Sequence, residues 1–279
     1  MNIVETVLPI GVEKPFYVWH MSDTHLTAVD ERECERKLKL AEDRTKLFSE
    51  ERTFTAEEMI ADAKRLCNDT EIPLIYTGDL IDFTSEKNFE LGRDFLSSVD
   101  CLFAVGNHEF SKYVGEAWED DAYKADSAEK VKKMVGVDFS FVSRIINGVN
   151  FVAIDNNYYR FSKKQLESLK EETKKGYPII IAVHNPIHTE SLYKAVMARC
   201  ECAYLVATPV DLMKTYSEYR YKQQLADEPT LEMVRYIESE PMINAIIAGL
   251  LHREYEGVVA NRIPQIVTGF EAIRKIKIV

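Results

Sequence analysis

The sequence has no long hydrophobic run. Its longest apolar stretches are strand-sized, such as Ile179 to Val183, and none approaches the roughly 18 residues that a membrane-spanning helix needs. Met1 to Phe16 carries Glu5 and Glu13 and lacks the apolar core of a secretory leader, so no membrane association and a cytoplasmic location are expected. Cysteine is scarce. Cys34, Cys67, Cys101, Cys200 and Cys202 are odd in number and scattered, which excludes a disulfide framework. The Cys200-x-Cys202 pair has no second Cys or Cys/His pair nearby and reads as idle thiols rather than a zinc site. Positive charge is also in deficit: 35 Lys and Arg stand against 46 Asp and Glu, a net charge of −11. A broad basic face for duplex nucleic acid is therefore not expected. A small anionic substrate is not excluded, because a bound cation inverts the local potential. Repeats and Gly/Ser-rich linkers are missing as well, so residues 1–279, 46% of them hydrophobic, read as one domain with a sizeable core.

What is present is an alternation of short apolar runs with longer amphipathic stretches. Strands are predicted at Phe16–Met21, Pro73–Tyr76, Leu102–Val105, Ile179–Val183 and Ile243–Ala248. A hairpin is predicted from Val137–Ile146 and Val149–Ile154, turning at Asn147-Gly148. Helices are predicted at about Asp30–Glu50, Ala56–Cys67, Ser85–Val99 and Ser162–Lys175, the last capped by Ser162 and stopped by Gly176. Residues 189–240 read as a helical insertion or cap. Three short strands, Gly257–Asn261, Gln265–Thr268 and Ala272–Val279, close the chain. This mixed order predicts a layered α/β sandwich rather than a pure doubly wound sheet.

Five strand ends carry residues suited to binding cations, and the carboxyl ends of strands are where open α/β sheets bind ligands. They are Asp23-Thr24-His25, Gly78-Asp79-Leu80-Ile81-Asp82, Gly106-Asn107-His108-Glu109, His184-Asn185-Pro186 and Gly249-Leu250-Leu251-His252. Two ligands one residue apart reach the same side of an extended segment. A carboxylate such as Asp79 has two oxygens and can bridge two cations. Singly, each motif is ordinary: a surface loop, a turn aspartate, a Gly-Asn turn or a structural histidine. Jointly, and in this order, they offer oxygen and imidazole donors without thiolate, a set that suits Mn, Fe or Zn.

The order D-x-H, G-D-x-x-D, G-N-H-E, H and G-x-x-H resembles the calcineurin-like metallophosphoesterases, over Asp23 to His252. The resemblance implies a four-layer αββα sandwich, two mixed β-sheets packed face to face and flanked by helices. It implies two divalent or mixed-valence transition metal ions. Asp23, His25, Asp79 and His252 would hold the first, and Asp79, Asn107 and His184 the second. It further implies His108 as the acid assisting the leaving group, oriented by Asp82, and a metal-bridging hydroxide attacking a small phosphomonoester or phosphodiester.

One position departs from the family pattern. The last motif is usually G-H-x-H, and Leu250 stands where a second-metal histidine is expected. Leucine has no donor atom, so the second site is expected to be weaker. The competing expectation is a degenerate, non-catalytic module that keeps the fold for binding a protein partner. His188, four residues beyond His184, is the one candidate substitute ligand; His20, inside the first strand, reads as a packed histidine.

Overall fold

The computed structural model describes residues 1–115 and 120–279. Its first sheet comprises β1 (Asn2–Leu8), β2 (Phe16–Met21), β3 (Leu74–Tyr76), β4 (Cys101–Phe103) and β11 (Ala272–Ile278), in the order β1-β11-β2-β3-β4. The second comprises β5 (Phe141–Ile146), β6 (Val149–Ile154), β7 (Ile179–Ala182), β8 (Ile243–Ala248), β9 (Tyr255–Val259) and β10 (Ile263–Val267), in the order β5-β6-β7-β8-β10-β9. Both sheets are mixed. β2, β3 and β4 run parallel, as do β6, β7, β8 and β10, while β11 and the edge strands β5 and β9 supply antiparallel pairings.

Alternation along the strands builds the layers. In β3, Ile75 joins Val18, Leu102, Phe151 and Ile180 between the two sheets, while Leu74 and Tyr76 face outward. There they meet Met59 of α2 (Ala56–Thr70), Phe95 of α3 (Glu86–Ser98) and Val131 of α4 (Asp121–Val135). On the far side, Ile179 and Ile181 of β7 pack under Leu169 of α5 (Lys163–Thr173), Leu192 of α6 (Glu190–Met197) and Met233 of α8 (Glu228–Ser239). Each such fully buried side chain contributes roughly 1.5–3 kcal/mol. The result is the expected four-layer αββα sandwich. A further helix, α1 (Glu35–Glu51), precedes α2, and α7 (Glu218–Gln224) lies between α6 and α8.

Local signals account for several boundaries. Asn147 and Gly148 have φ of 48° and 82°, the left-handed pair that a two-residue hairpin turn requires. Ser162 and Gln165 form a capping box at the start of α5. Other elements differ from the sequence reading. β1 was not predicted: its burial alternates and it occupies the sheet edge beside β11. α4 was not predicted either. α1 starts at Glu35 rather than Asp30, because Asp30 is held in a turn by Arg32. No helix among the described residues is long and apolar enough to cross a membrane.

Candidate active site

The carboxyl ends of β2, β3 and β4 in one sheet meet those of β7 and β8 in the other. The loops beyond them continue the pairing of their strands: Asp23 N–H donates to Gly78 O at 2.9 Å, His25 N–H to Asp79 O at 3.0 Å, and Gly249 N–H to His184 O at 3.0 Å. Gly78 and Gly106 let two of these loops touch. A Cβ on Gly78 would lie 2.4 Å from Gly106 N, and one on Gly106 would lie 2.1 Å from Asp79 Oδ1. Glu109, fully buried, accepts from the N–H groups of Gly106 (2.5 Å), Leu80 (2.8 Å), Asp79 (2.9 Å) and Ile81 (3.2 Å), tying the same loops together. Burial and the Asp79 charge push its carboxyl up to about 7.

This close assembly strains the backbone. Asp23, His25, Asp79, Leu250 and His252 have φ of 60°, 50°, 55°, 70° and 52°. Left-handed non-glycine residues cost on the order of 1–3 kcal/mol each and persist only where the surroundings over-determine them.

The side chains converge. Asp23, His25 and His252 form one group of donors within 4.8 Å of one another, and Asp23, Asp79 and His184 a second. His25 Nε2 lies 3.0 Å from His252 Nε2 and 3.8 Å from Asp79 Oδ2. His252 Nε2 lies 3.7 Å from Asp23 Oδ1. Asn107 lines the adjoining cavity with Asp79, His108 and His252. Leu250 lines it too, and offers the site only its backbone N–H, which reaches Asp23 Oδ1 and Oδ2 at 3.2 and 3.0 Å. His188 does not join the group; its ring packs on Tyr193 at 5.7 Å. His20 is buried in β2 between Thr77 and Thr268.

These residues fit a cation. His184 Nδ1 donates to Thr77 O at 2.6 Å, which turns Nε2 toward the site. That buried Nε2 lies 3.1 Å from Asp79 Oδ2, so a positive charge, either a proton or a cation, is needed between them. The field is equally telling. Burial works against a charged His184, yet Asp79 and Asp23 raise its pKa to about 9. Burial, only partly offset by His184, raises Asp23 to about 7. Burial and His25 lower His252 to about 3. Positive charge is favoured beside Asp79 and a neutral imidazole at His252.

His108 Nδ1 lies 2.6 Å from the Asp82 carbonyl oxygen and 3.2 Å from Asp82 Oδ1. Burial opposes its protonation, but the charges of Asp79 and Asp82 prevail and raise it to about 10. Asp82 does more than orient His108. Its Oδ1 lies 3.0 Å from His25 Nδ1, and it accepts a two-pronged pairing from Arg44, Nε to Oδ2 at 2.6 Å and Nη2 to Oδ1 at 2.8 Å. Sequence reasoning missed Arg44, which lies mid-helix in α1 without a motif. It also missed Asn156 and Asn157, which bond Asn185 O and Val105 O and so brace two of the site loops. A signal for that pair existed: Asp155-Asn156-Asn157 follows an apolar strand as the five chosen motifs do.

A cavity of about 760 Å³ opens over Asp79, Asn107 and His108, within the roughly 300–1,000 Å³ typical of small-ligand sites. A family model described as calcineurin-like phosphoesterase matches residues 16–237. Among solved structures, a dimetal phosphatase from Danio rerio is 13% identical with a TM-score of 0.51; the match covers 92% of this chain and 88% of that one. A Staphylococcus aureus protein described as a 5′-nucleotidase is 12% identical with a TM-score of 0.47, covering 92% of this chain and 49% of that one, so this chain spans about half its length. No curated protein matches the sequence.

Proposed function

The chain belongs to the calcineurin-like phosphoesterases, and on that premise we propose that it hydrolyses a small phosphomonoester or phosphodiester with the help of two transition metal ions. The observation that carries this reading is the close pair His184 Nε2 and Asp79 Oδ2, 3.1 Å apart and buried, which needs a positive charge between them, beside His108 at the floor of a cavity. Asp23, His25, Asp79 and His252 would hold one ion, and Asp79, Asn107 and His184 the other, with Mn, Fe and Zn suited to the donor set. When bound, such ions polarise phosphoryl oxygens and supply a deprotonated water at neutral pH. The chain's own residues do the rest. His108, held in one orientation by the carbonyl and carboxylate of Asp82, gives its proton to the leaving oxygen. Asp82 keeps the His25 proton on Nδ1, which leaves Nε2 free to ligate. The five free thiols support a cytoplasmic setting.

The test is release of nitrophenol from mono- and bis-nitrophenyl phosphate with added Mn, which also separates monoesterase from diesterase. Asp79→Asn and His108→Ala are each expected to abolish turnover. Retained activity in both variants overturns the reading. Leu250 in the cavity wall favours one alternative, a non-catalytic binding module. That alternative predicts no turnover with any metal and none gained in Leu250→His.

A further inference from the structure

The cavity has a second side. Facing it from the segment between β7 and β8 are Tyr204, Tyr219 and Arg220, and just beyond His252 is Arg253. In a chain of net charge −11, neither arginine forms an ion pair with a carboxylate among the described residues. Arg253 donates through Nε to Leu251 O at 3.3 Å. Arg220 donates through Nη1 to Gln223 Oε1 at 2.8 Å. Its guanidinium carbon lies 5.1 Å from the Tyr204 ring centroid and 5.0 Å from that of Tyr219.

The placement of Arg220 is built rather than incidental. Tyr204 has a φ of 55°, and its N–H donates to the buried Gln224 at 3.1 Å, which fixes the ring from the backbone. The Arg220 N–H bonds the capping Ser217 at 3.2 Å at the start of α7. A guanidinium has five N–H donors in a planar fork, and one bond to Gln223 leaves most of them available. Stacking against two rings limits its motion and its hydration. A partly buried cation without a carboxylate is costly until an anion pairs with it, and the fork geometry matches phosphate. The rings already face the guanidinium, which argues for recognition of charge rather than stacking of a planar base.

We infer that the cavity is a two-anion site. The substrate carries a second phosphoryl group on its leaving portion, and Arg220, assisted by Arg253, binds that group while the scissile phosphoryl lies over Asp79, Asn107 and His108. This rests on the phosphoesterase reading and extends it from reaction to substrate class.

The test compares 1,6-hexanediol bisphosphate with hexyl phosphate by phosphate release in Mn. The wild type is expected to favour the bisphosphate by about tenfold or more in kcat/KM, chiefly through KM, as charge-assisted hydrogen bonds allow. Arg220→Gln is expected to bring that ratio close to one. Arg253→Gln, on a different loop, serves if Arg220→Gln does not fold. Calorimetric titration of the bisphosphate into metal-free protein gives a readout independent of turnover, with binding about tenfold weaker in Arg220→Gln. If neither ester turns over but that binding difference holds, the hydrolase reading fails and the anion site stands. If both esters turn over and neither arginine variant alters ratio or binding, the anion site is refuted and the hydrolase reading stands.

Discussion

Replacing Arg44 by methionine tests whether the site depends on a residue that touches neither substrate nor metal. Methionine keeps a flexible apolar side chain near Phe48, over which the guanidinium carbon sits at 4.7 Å. It removes both bonds to Asp82, which is fully buried. Breaking a buried ion pair by deleting one partner costs about 3–5 kcal/mol. His25 and His108 remain as neighbours of the carboxylate, which places the cost near 3 kcal/mol. At roughly 2–4 °C per kcal/mol, the midpoint of unfolding falls by about 6–12 °C. Arg44 is also among the groups that hold the Asp82 carboxyl well below its usual range, against the opposing effect of burial. Without it the carboxylate loses the fork that fixes its position, so the His25 ring is oriented less well and metal affinity falls by about 10–100-fold, as for other residues that position ligands. Scanning calorimetry of chelated protein measures the first effect and a calorimetric Mn titration the second. Arg44→Lys, which restores charge without the fork, is expected to fall between. An unfolding midpoint within about 2 °C of wild type, with unchanged Mn affinity, would refute the reasoning.

Three further outcomes are expected. Gly106→Ala drives a methyl to 2.1 Å from Asp79 Oδ1 and should abolish Mn binding while leaving a folded, less stable protein; normal Mn stoichiometry by elemental analysis would show that the loops have room to part. Leu250→His should tighten the second ion by at least ~10-fold, read as a rise in metal count at limiting Mn, and an unchanged count would mean that the new ring does not reach the site. His20 is lowered from its ordinary 6.5 to about 3 by burial and then by Arg274. Below pH 6.5 the unfolded chain takes up a proton that the fold refuses, so this stability is complete above 6.5 and is lost toward pH 3 at about 1.4 kcal/mol per pH unit. Urea denaturation at pH 7 and pH 5 should show a smaller acid loss in His20→Gln, and equal losses would exclude His20 as the source.

Much of this architecture is legible in the chain because strands and site share one signal. Ile179 to Ala182 is an unbroken apolar run, the mark of a strand covered on both faces, and His184 follows within two residues. The Gly of each Gly-Asp and Gly-Asn motif foretells the close approach of the loops at Gly78 and Gly106. β1 escaped because an edge strand with exposed Ile3 and Val7 has no continuous apolar run to announce it. Arg44 escaped for a different reason. It is one charge among many on a helix, and its significance comes from the carboxylate that the tertiary fold places opposite it. The helical segment at 189–240 was legible as helical, whereas the pairing of Arg220 with Tyr204 and Tyr219 was not.

The donor set is divided between the sheets. Asp23, His25, Asp79 and Asn107 follow strands of one, and His184 and His252 follow strands of the other. Between the sheets lies an apolar interface of Val18, Ile75, Phe151 and Ile180, and near its carboxyl edge the bonds from Leu250 N–H to Asp23 and from His184 Nδ1 to Thr77 O already cross from one sheet to the other. An ion shared by Asp79 and His184 would act as a rivet through that interface near its carboxyl edge. Slippage of one sheet over the other would change the distance between donors, and a loaded site would resist it.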